Sequence, residues 1–190
     1  MGTYITTYSG IHFDLVNPTA DMVALEDIAH HLSNVCRWAG APKAFWSVAQ
    51  HCAITSYIVP PRFGQWALMH DAAEAYIGDI TRPLKTLIPA VREIEDRIMR
   101  VITEHFHMSF PEPEELCTYD DQVQRLEAEL IMPQHDGRFI DRDGGSYPIT
   151  SLAQSQLRKL PGGLLAPLSP QGAEVLFAMR FAELFPGSIP

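Results

Sequence analysis

The stretch from Arg62 to Ile77 limits the fold more than any other part of this chain. Trp66, Ala67, Leu68, Met69, Ala72, Ala73, Ala75, Tyr76 and Ile77 leave a helix there with almost no polar side, and Gly78 closes it. A helix that is apolar all round must lie inside the molecule, wrapped by other elements. The flanking sequence supplies those elements as further helices. Leu25, Ile28, Ala29, Leu32 and Val35 recur at helical spacing and predict a first helix ending near Gly40, a residue type suited to a helix C-terminus. Lys43 to Val59 predicts a second, stopped by Pro60-Pro61, because the second proline disfavours helical geometry at the first.

After a turn around Pro83 and Pro89, Val91, Ile94, Ile98, Val101, Ile102 and His105 mark a fourth helix. Glu114 to Ile131 predicts a fifth, with its apolar stripe on Leu116, Val123, Leu126 and Leu130, and a last helix spans roughly Gln171 to Leu184. Residues 3–17 mix β-branched and aromatic side chains around Ser9-Gly10, the pattern of a short hairpin or extended arm. Residues 133–172 are rich in Pro and Gly, so loops dominate there, with one short helix near Leu152–Leu157. The expectation is a single all-α domain over 1–190, with its helical core at 25–131.

Composition narrows the function. A chain of 190 residues with 46% hydrophobic content can bury one core. The net charge of -9, with no Lys/Arg run, argues against a surface that tracks a nucleic-acid backbone, although one small anion can still be held locally. No apolar run approaches the roughly 18 residues of a membrane span. Cys36, Cys52 and Cys117 form an odd set without CxxC spacing, and no signal segment precedes them, so a reducing cytoplasm is the expected location.

The chemistry starts from a conflict inside the third helix, which is buried on all sides yet carries His70, Asp71 and Glu74. Burying ionised carboxylates without partners costs roughly several kcal/mol each, and a divalent cation would compensate them; a buried salt bridge is the alternative. On a regular helix His70 and Glu74 share a face, with Asp71 about 100° round. His51 lies among Phe45, Val48, Ala49, Cys52 and Ile54 in the second helix, so it is expected to face inward. Asp120 falls between Leu116 and Val123 on the apolar stripe of the fifth helix, whereas Asp121 points away. Together His51, His70, Asp71 and Asp120 make a set of two nitrogens and two oxygens suited to Mn, Fe, Co, Zn or Ni, with room for a water. His12, His30, His31, His105, His107 and His135 are read as structural or surface residues. GxSxG and GxxxxGK motifs are absent.

These residues resemble the HD-domain phosphohydrolases, whose pattern is a His, a His-Asp pair and a distant Asp, all on helices. The resemblance covers roughly 25–131 and is closest to compact bacterial 5'-deoxynucleotidases and phage deoxynucleoside triphosphate triphosphohydrolases. It rests on Arg37-Trp38 ahead of His51, on HDAAEAYIGDITRPLK from His70 to Lys85, and on Asp120 within a helix. It implies that His51, His70, Asp71 and Asp120 hold one divalent transition metal ion (Co, Mn, Zn, Ni or Fe), with Mg as a candidate second ion on a triphosphate. Glu74 and Asp79 would flank the metal, and either could orient the attacking water or move a proton; Asp79 is equally suited to a turn.

Arg37, Arg82 and Lys85 are the candidate cations for phosphate, and Trp38 is either a stacking surface for a base or sugar or a core aromatic. The implied reaction is hydrolysis of the 5'-phosphate or 5'-triphosphate ester of a deoxynucleotide such as dAMP or dATP, in a homodimer or larger homo-oligomer. A catalytically inactive nucleotide sensor or scaffold is the second expectation, and an HD-type nuclease the third.

Overall fold

Helices built around the buried segment account for most of the chain. The computed structural model describes residues 2–133, the backbone of 138–140 and 146–148, residue 160, and residues 164–187. The helices are α1 (Leu25–Asn34), α2 (Val48–Ile58), α3 (Gly64–Met69), α4 (Glu74–Ile77), α5 (Arg82–Leu87), α6 (Pro89–His105), α7 (Leu116–Ile131) and α8 (Pro170–Leu184). Two antiparallel hairpins accompany them, β1 (Tyr4–Thr6) with β2 (His12–Asp14) and β3 (Arg138–Ile140) with β4 (Ser146–Pro148). The fold is therefore all-α with small β additions, and no described helix is long and apolar enough to cross a membrane.

α2 lies at the centre, against α1, α3, α7 and α8, and α8 also covers α1 and α3. Ile28, Leu32, Leu68, Met69, Ile98 and Ile102 are fully buried between these helices, together with Phe177 and Phe181 of α8. Each such side chain contributes roughly 1.5–3 kcal/mol by leaving water. The hairpin expected in 3–17 forms and packs inward: Phe13 is fully buried and stacks on Tyr76 of α4, ring centroids 3.7 Å apart.

Several sequence expectations are corrected. The first helix ends at Asn34, not near Gly40, and the second starts at Val48, not Lys43. Between them Arg37 N–H donates to the Trp46 carbonyl and Val48 N–H to the Val35 carbonyl, so the chain leaves helical geometry to close a short antiparallel bridge, Cys36 with Ser47. Pro83 starts a helix, α5, where a turn was expected, because a proline in the first helical turn lacks only an N–H that would be unpaired anyway. Leu130 leaves the stripe of α7 and is exposed, and Glu127 and Ile131 are buried in its stead. The loop-rich region holds the β3–β4 hairpin; the short helix expected near Leu152–Leu157, and His135, lie outside the described residues.

The main correction concerns the helix from Arg62 to Ile77. It is not continuous: a 3-10 turn at Pro61–Phe63 leads into α3, and from His70 to Ala73 the chain tightens before α4. Ala72, Glu74 and Tyr76 N–H groups each bond the carbonyl three residues back, at Met69, Asp71 and Ala73. Spacing by three stacks side chains at i and i+3. Asp71 and Glu74 therefore share a side, and the expected facing of His70 with Glu74 does not hold.

Candidate metal centre

Three segments far apart in sequence deliver the candidate ligand atoms. Ser47 caps α2 by accepting from Gln50 N–H, which starts the helix one turn before His51. α3 carries His70 at its end, the tight turn presents Asp71, and α7 brings Asp120 from its buried stripe. His51 Nε2 lies 3.1 Å from Asp120 Oδ1 and 3.3 Å from His70 Nε2. His70 Nε2 lies 3.3 Å from Asp71 Oδ2 and 3.7 Å from Asp120 Oδ1, and His51 Nε2 is 3.8 Å from Asp71 Oδ2. Ligands bound to a single ion at about 2.1 Å in tetrahedral geometry stand about 3.4 Å apart, so this spacing is compatible with one bound metal ion.

Proton placement supports the same fit. His70 Nδ1 lies 2.9 Å from the Ala67 carbonyl, which can only accept, so this nitrogen carries the hydrogen. His51 Nδ1 lies 2.9 Å from Glu127 Oε1, and the carboxylate of Glu127 also only accepts. In the neutral rings both Nε2 atoms are then bare lone pairs, facing one another and two carboxylate oxygens. Four acceptors without a hydrogen between them repel unless positive charge enters, and His51, His70 and Asp120 form a group that could hold a metal ion.

The electrostatics of the pocket favour positive charge on the two imidazoles. Burial alone would push the His70 imidazole down, but Asp71, Cys52 and Asp120 raise it well above its ordinary value. Burial and Arg37 likewise lower His51, and Glu127 and Asp120 raise it further than they depress it. Burial would raise Asp120, but the two imidazoles hold it well below the carboxylate range. Cys52, beside the pair, is kept a neutral thiol by burial, which pushes it up to about 11.

The remaining candidates form a connected rim. Glu74 is buried, with Oε1 3.3 Å from Lys85 Nζ and Oε2 without a hydrogen-bond partner. Burial first, then Asp71 and Asp79, push its carboxyl well above the usual range against the pull of Lys85 and Arg37. Asp79 Oδ2 accepts from Trp38 N–H at 3.1 Å. Arg82 reaches Asp120 Oδ2 at 3.7 Å, Asp121 at 3.6 Å and Gln124 at 3.4 Å, while Gln124 donates to Asp120 Oδ2 at 2.8 Å. With Oδ2 so occupied, Oδ1 is left facing the imidazoles.

Arg37 lies behind the ligands, its Nε 3.1 Å from Glu127 and its NH1 3.4 Å from Asp71. Trp38 adopts a positive φ of 58°, as does Ala39 at 50°, a conformation that non-glycine residues seldom keep unless the surroundings impose it. Its indole packs against the Trp46, Ile54 and Val123 cluster, with a buried and unpartnered Nε1. Sequence reasoning missed Glu127, Trp46 and Gln124. For Glu127 the signal was present, since it continues the stripe of Leu116, Asp120 and Val123.

Of the other histidines, His31 joins the Tyr8 N–H to the Ala75 carbonyl, His30 pairs with Glu174, and His105 meets the Ala20 carbonyl.

The chain is 38% identical over 186 residues to the uncharacterized protein YfdR of Escherichia coli (strain K12), covering 96% of each. It belongs to the YfdR family. The uncharacterized protein RCAP_rcc00048 of Rhodobacter capsulatus is 34% identical over 137 residues, 65% of this chain and 70% of that protein. No family model matches. The match to YfdR runs nearly end to end, so it takes in α2, the His70-Asp71 turn and α7 together.

Proposed function

We propose that this protein is a metal-dependent phosphohydrolase of the HD type, acting on the 5'-phosphate or 5'-triphosphate ester of a deoxynucleotide. The observation that carries this reading is the convergence of His51 Nε2, His70 Nε2, Asp71 Oδ2 and Asp120 Oδ1, with both imidazoles fixed in the tautomer that bares the inward nitrogen. A divalent transition metal, Co, Mn, Zn, Ni or Fe, would supply Lewis acidity and a water activated near neutral pH.

The chain's own residues supply the rest. Glu74, with its high proton affinity and unpartnered Oε2, is suited to hold and deliver a proton at the rim. Asp79, tied to the Trp38 backbone, fixes the wall beside it. Arg82 and Lys85, half-buried at the same rim, can trade part of their carboxylate contacts for phosphate oxygens. Arg37 is held by Glu127 and Asp71, which leaves it to orient the ligand set before any substrate arrives.

Product analysis with deoxynucleoside mono- and triphosphates, in the presence of Mn, Co, Zn or Mg, tests this. Release of phosphate or tripolyphosphate is expected, and it should vanish with chelator and with Asp71→Ala. Turnover that survives both would remove the reading. The second reading is a nucleotide-binding module without turnover. Tight nucleotide binding by a metal-loaded protein that releases no product would favour it.

A further inference from the structure

Behind His51, away from the ligand atoms, lies a carboxylate that the reaction itself does not need. Glu127 is almost completely buried and accepts from three donors on three segments. Its Oε1 takes His51 Nδ1–H at 2.9 Å and the Trp46 indole N–H at 2.9 Å, and its Oε2 takes Arg37 Nε–H at 3.1 Å. Arg37 in turn donates to Asp71 Oδ2 at 3.4 Å. One side chain thus reaches two ligands, His51 directly and Asp71 through Arg37.

We propose that Glu127 is a positioning residue whose carboxylate fixes the His51 tautomer and neutralises Arg37, and so decides whether the four-ligand site accepts a divalent metal. This rests on the metal-site reading above, though not on any reaction at that site. A carboxylate can only accept, so the hydrogen of neutral His51 is confined to Nδ1 and Nε2 stays open to a cation. An amide in the same place can donate to Nδ1, which would move the hydrogen to Nε2 and point it at the metal position. The negative charge matters too. Without it, the buried guanidinium of Arg37 leans on Asp71 alone among its direct partners, and so competes with the ion for a ligand carboxylate. Trp46, fully buried, holds Oε1 in place and keeps the carboxylate from rotating towards other donors.

Partners that orient a ligand typically carry about 10- to 100-fold of metal affinity. Glu127→Gln is therefore expected to bind Zn about 10- to 100-fold more weakly than the parent protein, by competition with a chromophoric chelator at fixed pH. Thermal unfolding of both metal-free proteins accompanies this measurement. Nitrogen NMR of the histidine-labelled, Zn-loaded parent supplies a readout that a merely structural role would not move: Nδ1 of His51 should carry the hydrogen and Nε2 the metal. If Glu127→Gln does not fold, this spectrum alone decides.

Equal Zn affinity in a folded Glu127→Gln, or Zn bound through His51 Nδ1, overturns the proposal. A parent that binds no Zn overturns it as well. A parent that binds Zn in this manner yet hydrolyses no nucleotide removes the phosphohydrolase reading and leaves the role of Glu127 standing.

Discussion

Glu74 is buried beside Asp71 and Asp79, and only Lys85 and Arg37 oppose the resulting rise in its proton affinity. Its folded value stands above the ordinary 4.5 of an unfolded glutamate, so between the two the native state binds more protons than the unfolded chain. Stability of the metal-free protein must then fall as pH rises through that window. Glu74→Gln removes this loss. The variant is expected to melt at higher temperature than the parent at pH 7 to 8, and the gain should shrink towards zero as pH falls below about 4.5. Scanning calorimetry across that range checks the sign; a gain that grows at low pH would contradict it. At this same scale the sequence was uneven in what it disclosed. Asp120 was legible because a carboxylate on an apolar stripe needs a reason. Glu127, seven residues on along the same stripe, met the same criterion, but its partners His51, Trp46 and Arg37 come from elsewhere in the chain and no local pattern announces them.

Among the elements, periodicity located α1, α6 and α7, since each needs an apolar stripe and shows one, whereas α2, buried nearly all round, was placed by the Pro60-Pro61 stop that follows it. Their ends were harder to read. Val35 to Ser47 leaves helical geometry because Cys36 and Ser47 pair across a bridge, and pairing between distant residues outweighs local helix preference. The tight turn from His70 to Ala73 is hidden more thoroughly, as every residue in it is compatible with a helix. The exit from α4, which follows this turn, depends on Gly78, with φ 80° and ψ 166°, a region almost closed to other residues. A Cβ at Gly78 would meet nothing within 4 Å, so the penalty of Gly78→Ala lies in the backbone alone. The variant should lose about 1–3 kcal/mol by urea unfolding. Under the phosphohydrolase reading it should also lose turnover beyond what its stability explains, because Asp79 follows directly and would be displaced from Trp38 N–H.

Across the whole molecule, the N-terminal hairpin packs on α1 and α4, next to the turn that carries the site residues. Phe13 stacks on Tyr76, His31 bonds the Ala75 carbonyl, and Asp27 holds the hairpin turn through the N–H and hydroxyl of Ser9. All of these contacts converge on α4 or on the helix it packs against, so the arm seats the turn that carries Glu74. The sequence showed that an arm existed, but its docking spans more than sixty residues of chain, from Phe13 to Tyr76, and hydrophobic spacing carries no information over that distance. Phe13→Ala is expected to cost about 3–5 kcal/mol, as truncation of a fully buried aromatic does, by chemical denaturation. A loss below about 1 kcal/mol would show that the arm is a loose appendage.

The burial of His51 has a consequence in time as well as in energy. His51 is fully enclosed while Asp71 keeps part of its side chain open to solvent, so an ion at this site would be reached, and released, from the Asp71 side. Under the metal reading, exchange would then run stepwise, with the Asp71 bond breaking first and the His51 bond last. A chelator in solution would meet the ion only after the first of these steps.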